Sequence, residues 1–236
     1  NVNKSPLWTD EYLAEYQENS SLYSTAYPNV DFQELFYTES GLQQHHNLNV
    51  TGGNEVLRSA ASLSYMNQEG IIPNFNYKRY SVRANNDIKV SERIQVKLDL
   101  YARHSPVQET QEGESSTIRK VQRFPSILAV YLPDGRYSTN LMGYANPMAS
   151  MESGTSNTKY TNLRGLASVN IQPLDGMNLS FMYSPQFNES YNNTFANPIP
   201  MYVEGTVEPV QYAPSKSTLN ERVSRSITNN LNAILS

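Results

Sequence analysis

The chain has 236 residues, enough for one large β domain or two small ones, and only 38% of them are hydrophobic while 17 are tyrosine. That balance is too polar for a conventional soluble core and too aromatic for a disordered segment, and it suits β-strands that keep one wet face. A net charge of −4 excludes a basic nucleic-acid face, zero cysteines exclude a disulfide framework, and no window of about 18 apolar residues exists to cross a membrane as a helix.

In chain order, Trp8, Tyr12, Leu13 and Tyr16 recur at spacings near four and predict a short amphipathic helix within residues 1–40, with Thr9 as its N-cap. Tyr27-Pro28-Asn29 breaks that pattern. Asn1 opens into Pro6-Leu7-Trp8 with neither a basic nor an apolar leader region, so a leader is expected upstream or already removed. From Leu42 the period changes to two. Alternation predicts strands over Leu42 to Thr51, Leu57 to Met66, Tyr80 to Lys89, Ile94 to Arg103, Tyr160 to Ile171, Met177 to Phe187, and Val223 to the end. The cleanest places Ile94, Val96, Leu98, Leu100 and Ala102 on one face and Gln95, Lys97, Asp99, Tyr101 and Arg103 on the other. A strand of about ten residues, at ~3.3 Å rise and ~45° tilt, spans roughly 23 Å, the height of an outer-membrane hydrocarbon band.

The connections alternate between short and long. Gly52-Gly53-Asn54, Ser91-Glu92 and Leu174-Asp175-Gly176 are tight, with the Gly-Gly and Asp-Gly pairs read as turn residues of positive φ, while Asn67 to Tyr77, 105–158 and 185–217 are long. An outer-membrane barrel has short periplasmic turns and long external loops, which makes residues 1–40 an external loop with a short helix and 41–236 a portion of barrel wall, about seven strands. The fold expected is therefore all-β, an antiparallel transmembrane barrel portion, with its polar lumen lined by Arg83, Lys97, Asp99 and Arg103 and its other face toward outer-membrane lipid. The competing reading is a soluble β-sandwich serving as a carbohydrate-binding or adhesin module, whose apolar faces would meet each other.

Chemistry-bearing groups are sparse. His45 and His46 are adjacent on a strand, so they point to opposite faces and cannot chelate one ion together. Glu109, Glu112 and Glu114 fall in a Gly/Ser/Thr-rich stretch read as a solvated tip, and no nucleophile elbow, Walker loop or dinucleotide fingerprint is present. No catalytic residue, metal or cofactor is expected. The aromatic and amide-rich loops are the candidates for ligand contact: Tyr131, Tyr137 and Tyr144, near Phe124 and Asn146, in one loop, and Tyr191, Asn193 and Tyr202 in the other.

Four ordered strings carry a family resemblance. Tyr27-Pro28-Asn29-Val30-Asp31-Phe32-Gln33, Gln44-His45-His46-Asn47-Leu48-Asn49-Val50-Thr51-Gly52-Gly53-Asn54-Glu55, Gln68-Glu69-Gly70-Ile71-Ile72-Pro73-Asn74 and Tyr77-Lys78-Arg79-Tyr80-Ser81-Val82-Arg83 resemble the SusC/RagA family of TonB-linked outer-membrane transporters. Pro133-Asp134-Gly135-Arg136 and Asn146-Pro147-Met148 look like that family's long loop. The resemblance implies a 22-stranded TonB-dependent barrel closed by an N-terminal plug, located in the bacterial outer membrane. It also implies a SusD-like surface lipoprotein as lid, the TonB complex as energy source, and an oligosaccharide or peptide as cargo. This chain then supplies early barrel wall and external loops, while plug and TonB-contacting segments are not part of it.

Overall fold

The computed structural model describes residues 8–140 and 143–236, so the opening from Asn1 to Leu7 lies outside it. Strands β1 (Gln43–Gly53), β2 (Leu57–Glu69), β3 (Asn76–Ser91), β4 (Ile94–Thr110), β5 (Gly154–Leu174), β6 (Met177–Ala196) and β9 (Thr218–Leu235) form one antiparallel sheet of seven, each paired with its neighbour in the chain. A separate two-stranded hairpin, β7 (Ile199–Met201) with β8 (Gln211–Ala213), sits inside the connection between β6 and β9. All seven expected strands are present in the expected order.

Register explains why the alternation was so clean. One row runs across the whole sheet as Leu48, Leu63, Val82, Ala102, Leu163, Phe187 and Ile227, each directly opposite the next. The row beside it on the opposite face is Asn47, Ser64, Ser81, Arg103, Asn162, Asn188 and Ser226. The apolar row is open to its surroundings, with Leu163 45% and Ile227 71% exposed, whereas Asn162 and Ser168 on the polar face are 4% and 5% exposed. Asn162 and Ser168 are short side chains sunk among longer neighbours, and in a wall of this pattern the polar face is the inner, concave one and the apolar face the outer, convex one. No second sheet covers the apolar face among the described residues, as a sandwich would require, and no helix is long and apolar enough to cross a membrane.

The convex apolar band ends at a row of different character: His46, Tyr65, Tyr80, His104, Thr161, Glu189 and Arg225. His46 stacks on Tyr65 at 6.2 Å, Tyr65 meets Tyr80 at 5.2 Å, and Arg225 pairs with Glu189 at 2.5 Å. Amphipathic rings and paired charges at that level are the makings of an interfacial girdle.

Beyond the girdle the strands continue further than hydropathy indicates. β4 reaches Thr110, β5 begins at Gly154 and β6 reaches Ala196, so the long connections are 111–153 and 197–217 rather than 105–158 and 185–217. These extensions are polar on both faces, which erases the alternation that marked the rest. The connections keep their short-long rhythm. At the tight ends, Gly176 does adopt a positive φ of 86°, as expected for Asp-Gly. Gly52 and Gly53 do not; they are strand residues, and a Cβ at Gly53 would lie 2.4 Å from the Leu57 carbonyl oxygen, so the demand there is for close backbone approach.

At the same end of the sheet the long segments fold into a body of their own. Helix α1 (Asp10–Asn19) starts where expected, with the Thr9 hydroxyl accepting from the Tyr12 N–H at 3.2 Å, and α2 (Phe32–Phe36) follows. The 111–153 connection contains α3 (Glu114–Arg123) and α4 (Pro147–Glu152), neither of which the composition signalled. Val30, Phe36, Ile72, Val121, Phe124, Val130, Met148 and Met151 pack into a buried core contributed by three separate segments. The expected solvated carboxylate tip is thus corrected: Glu109 belongs to β4, Glu114 opens α3, and Glu112 pairs with Lys120 at 2.5 Å while Lys120 also reaches Ser150 at 3.0 Å.

Candidate functional site

The loop body is organised by one side chain. Asn146 is 1% exposed and caps α4, its Oδ1 accepting from the Met148 and Ala149 N–H groups at 3.1 and 3.2 Å. Its Nδ2 donates to the Val130 and Ser138 carbonyls at 2.7 and 2.9 Å, so one amide ties the helix to both legs of a hairpin. That hairpin turns through Pro133-Asp134-Gly135-Arg136, with the Gly135 N–H donating to the Leu132 carbonyl at 2.9 Å and Gly135 at a φ of 84°.

Tyr131 and Tyr137 face each other across the base of the turn, ring centres 5.5 Å apart. Tyr202 joins them from the other long connection: its N–H donates to the Tyr137 carbonyl at 2.9 Å, and the Arg136 guanidinium lies 4.2 Å above its ring. Tyr23 contributes from the N-terminal segment, 5.9 Å from Tyr131, and Thr25 hydrogen-bonds Glu204. Three of the expected ligand-contact residues are therefore brought together by segments far apart in sequence.

The electrostatics of this cluster are set by burial and by Glu152. Burial first, then a hydrogen bond to Glu152, pushes the Tyr137 phenol far above its usual range, and burial followed by the Glu152 charge raises Tyr131. The Arg136 guanidinium hydrogen-bonded to Asp134 holds that carboxyl below the usual carboxylate range. A phenol whose folded pKa is raised stabilises the fold below the unfolded pKa near 10, and that contribution is lost as pH rises above it. Tyr137→Phe is accordingly expected to blunt the alkaline loss of loop-body stability, measured as proteolytic resistance of the hairpin between about pH 9 and 11; an unchanged alkaline profile would show that Tyr137 does not titrate late.

The other expected residues lie elsewhere. Tyr144 packs edge-on against Phe124 at 6.4 Å and is 42% exposed at the body's surface. Tyr191 and Asn193 are strand residues of β6, on the same face as Phe187, and both bond to Glu221 of β9 at 2.9 and 2.8 Å. His45 contacts Ser64 at 2.9 Å while His46 stacks on the other face of β1. Glu152, Arg136 and Tyr23 were not among the expected residues. The Pro-Asp-Gly-Arg string was the one signal for Arg136, and nothing in sequence placed Glu152 beside the tyrosines.

A curled meander with a convex apolar face, a concave polar face, an aromatic girdle and external-type loops at one end is the wall of a transmembrane β-barrel, left unclosed by the seven strands of this chain. No family model matches the chain. It is 26% identical over 177 residues to TonB-dependent receptor P26 of Formosa agariphila, covering 73% of this chain and 17% of that one. To TonB-dependent receptor P3 of the same organism it is 28% identical over 144 residues, covering 58% and 14%. In fold it matches the RagAB peptide transporter with a TM-score of 0.64 at 18% identity, and the RagAB peptide importer in its closed-closed state at 0.63 and 18%. Those matches cover 95% and 96% of this chain and 25% of the solved chains, so the chain spans a minor part of the proteins it resembles. The sequence matches are to TonB-dependent receptors and the fold match is to the RagAB transporter, in line with the resemblance carried by the four sequence strings.

Proposed function

We propose that this chain supplies barrel wall and external loops to the TonB-dependent import of oligosaccharides or peptides across the outer membrane. In this reading a SusD-like surface lipoprotein closes over the loop body and the TonB complex acts through parts of the protein outside this chain. The chain binds and guides cargo and catalyses nothing. The observation that carries the reading is the convergence of Tyr23, Tyr131, Tyr137 and Tyr202 in the loop body at one end of the sheet. An aromatic cluster with polar tips suits both sugars and peptide side chains. The receptor and importer names carried by the similar proteins support it. In the same reading Tyr144, Tyr191 and Asn193 meet cargo or lid at the periphery.

The test uses the full-length protein with its partner lipoprotein. A Tyr137→Ala, Tyr202→Ala double substitution is expected to weaken cargo or lid binding by about tenfold, since paired aromatic contacts contribute ~0.5–1.5 kcal/mol each beyond area. Heat-modifiable migration in gels should persist. Unchanged binding of both cargo and lid would remove the cluster from the site.

A further inference from the structure

The concave wall carries a group of charges that the loop body does not explain. Arg103 stands in β4 between its register partners Ser81 and Asn162. Arg83 and Arg164 both sit opposite Tyr101, two residues along β4, and Arg79 is two residues from Ser81 the other way. Arg79, Arg83 and Arg164 are thus the diagonal neighbours of Arg103 on one face. Diagonal Cβ atoms are about 7–8 Å apart in a sheet, and concavity draws the tips of long side chains closer still.

Guanidinium groups so close repel one another unless something answers them. Among the described residues none of the four takes part in an ion pair, whereas Lys97 lower on the same face pairs with Asp87 at 3.6 Å. Asp99 shares the face two residues from Tyr101 and makes no ion pair with them. Arg83 lays its guanidinium over the Tyr101 ring at 5.3 Å, a contact that uses its flat face and not its N–H edge.

Two buried polar atoms beside the cluster complete the pattern. The Arg103 Nε–H has no acceptor, and the Oδ1 of Asn162, a residue 4% exposed, has no donor. An unanswered buried donor or acceptor costs about 1–3 kcal/mol, more when charged. What satisfies both is an anionic acceptor that carries an N–H or O–H donor next to it. A carboxylate adjoining an amide N–H in an acidic peptide, or adjoining a hydroxyl in a uronate, has that chemistry, and Arg forks engage carboxylates through two parallel hydrogen bonds. The flanking Asn47, Ser64, Asn188 and Ser226 extend a hydrogen-bonding track on either side.

We propose that Arg79, Arg83, Arg103 and Arg164, with Asn162, form a carboxylate-binding station on the inner wall that favours acidic cargo. This rests on the import reading above. The test takes the full-length transporter with its lipoprotein in native outer membrane and measures uptake of two matched pairs. One is a Glu/Asp peptide against its Gln/Asn counterpart, the other a uronate oligosaccharide against its neutral hexose counterpart. Arg103→Gln with Arg164→Gln is expected to lower uptake of whichever acidic probe the wild type takes by about tenfold, leaving its neutral counterpart unchanged and flattening the salt dependence. Which acidic probe responds distinguishes a peptide source from a uronate one. Arg103→Lys with Arg164→Lys, which keeps the charge without the fork, should recover part of the loss and serves as the test if the Gln variant fails to assemble.

Equal losses for acidic and neutral probes overturn the station, as does a wild type that takes up neutral cargo with no acidic preference. Lowered thermal stability of the Gln variant without any change in uptake also overturns it, because the answering carboxylate then belongs to the transporter itself. A wild type that takes up none of the probes counts instead against the import reading.

Discussion

Leu100→Arg is expected to lower barrel stability by about 2–4 kcal/mol, while Thr228→Arg, on the opposite face, costs less than about 1 kcal/mol. Leu100 lies near mid-height of the convex band, 64% exposed, between Ala84 on β3 and Gly165 on β5. A guanidinium there is held in hydrocarbon too far from the girdle row for its stem to reach water. Thr228 sits opposite Gln186 on the concave side, where water is available. Urea titration of the full-length protein folded into lipid vesicles, with the amount of heat-modifiable protein in cells, reads the difference. Equal tolerance of the two arginines would mean that the convex face does not meet lipid.

The second large effect is expected from Asn146→Leu, which keeps the branching and number of heavy atoms and removes every hydrogen bond of the side chain. Two carbonyls and two N–H groups lose their side-chain partner in a buried setting, at about 1–3 kcal/mol for each group left unsatisfied, partly offset by relaxation toward water. A net loss of about 3–5 kcal/mol would loosen the loop body without touching the wall. Limited proteolysis should then cut between α3 and α4, and cargo or lid binding should fall, while gel migration of the folded barrel persists. Retained protease resistance would show that the body is held by its apolar core and not by this amide. Asn146 was noted in sequence as a loop residue with a claim on ligand; the structure makes it the fastening that presents Tyr131 and Tyr137.

How much could be read in advance follows from where each signal comes from. The wall was legible because lipid and water act on alternate residues, and each strand such as Ile94 to Arg103 records both environments at period two. Above the girdle both faces are wet, so the extensions of β4, β5 and β6 were silent. α3 was hidden for a related reason: its inward residues Thr117 and Val121 are few and one is polar, their partners coming from distant segments. The tyrosine cluster was half legible. Residue type marked Tyr131, Tyr137 and Tyr202, but only tertiary folding brings Glu152 and Tyr23 to them. The arginines of the wall were visible one by one as polar positions, and their clustering depends on register between strands, which no single strand records.

Because each strand of the sheet pairs with its chain neighbour, the wall can grow by templated addition, each new hairpin zipping onto the free edge of the one before. The short turns place little burden on this process. The 111–153 segment does, since its two ends must be brought together before β4 and β5 can align over their full length. It cannot condense alone, because its Val121, Phe124, Val130, Met148 and Met151 share one core with Val30, Phe36 and Ile72, so the crown of this hairpin closes only together with the segments that flank β1 and β2.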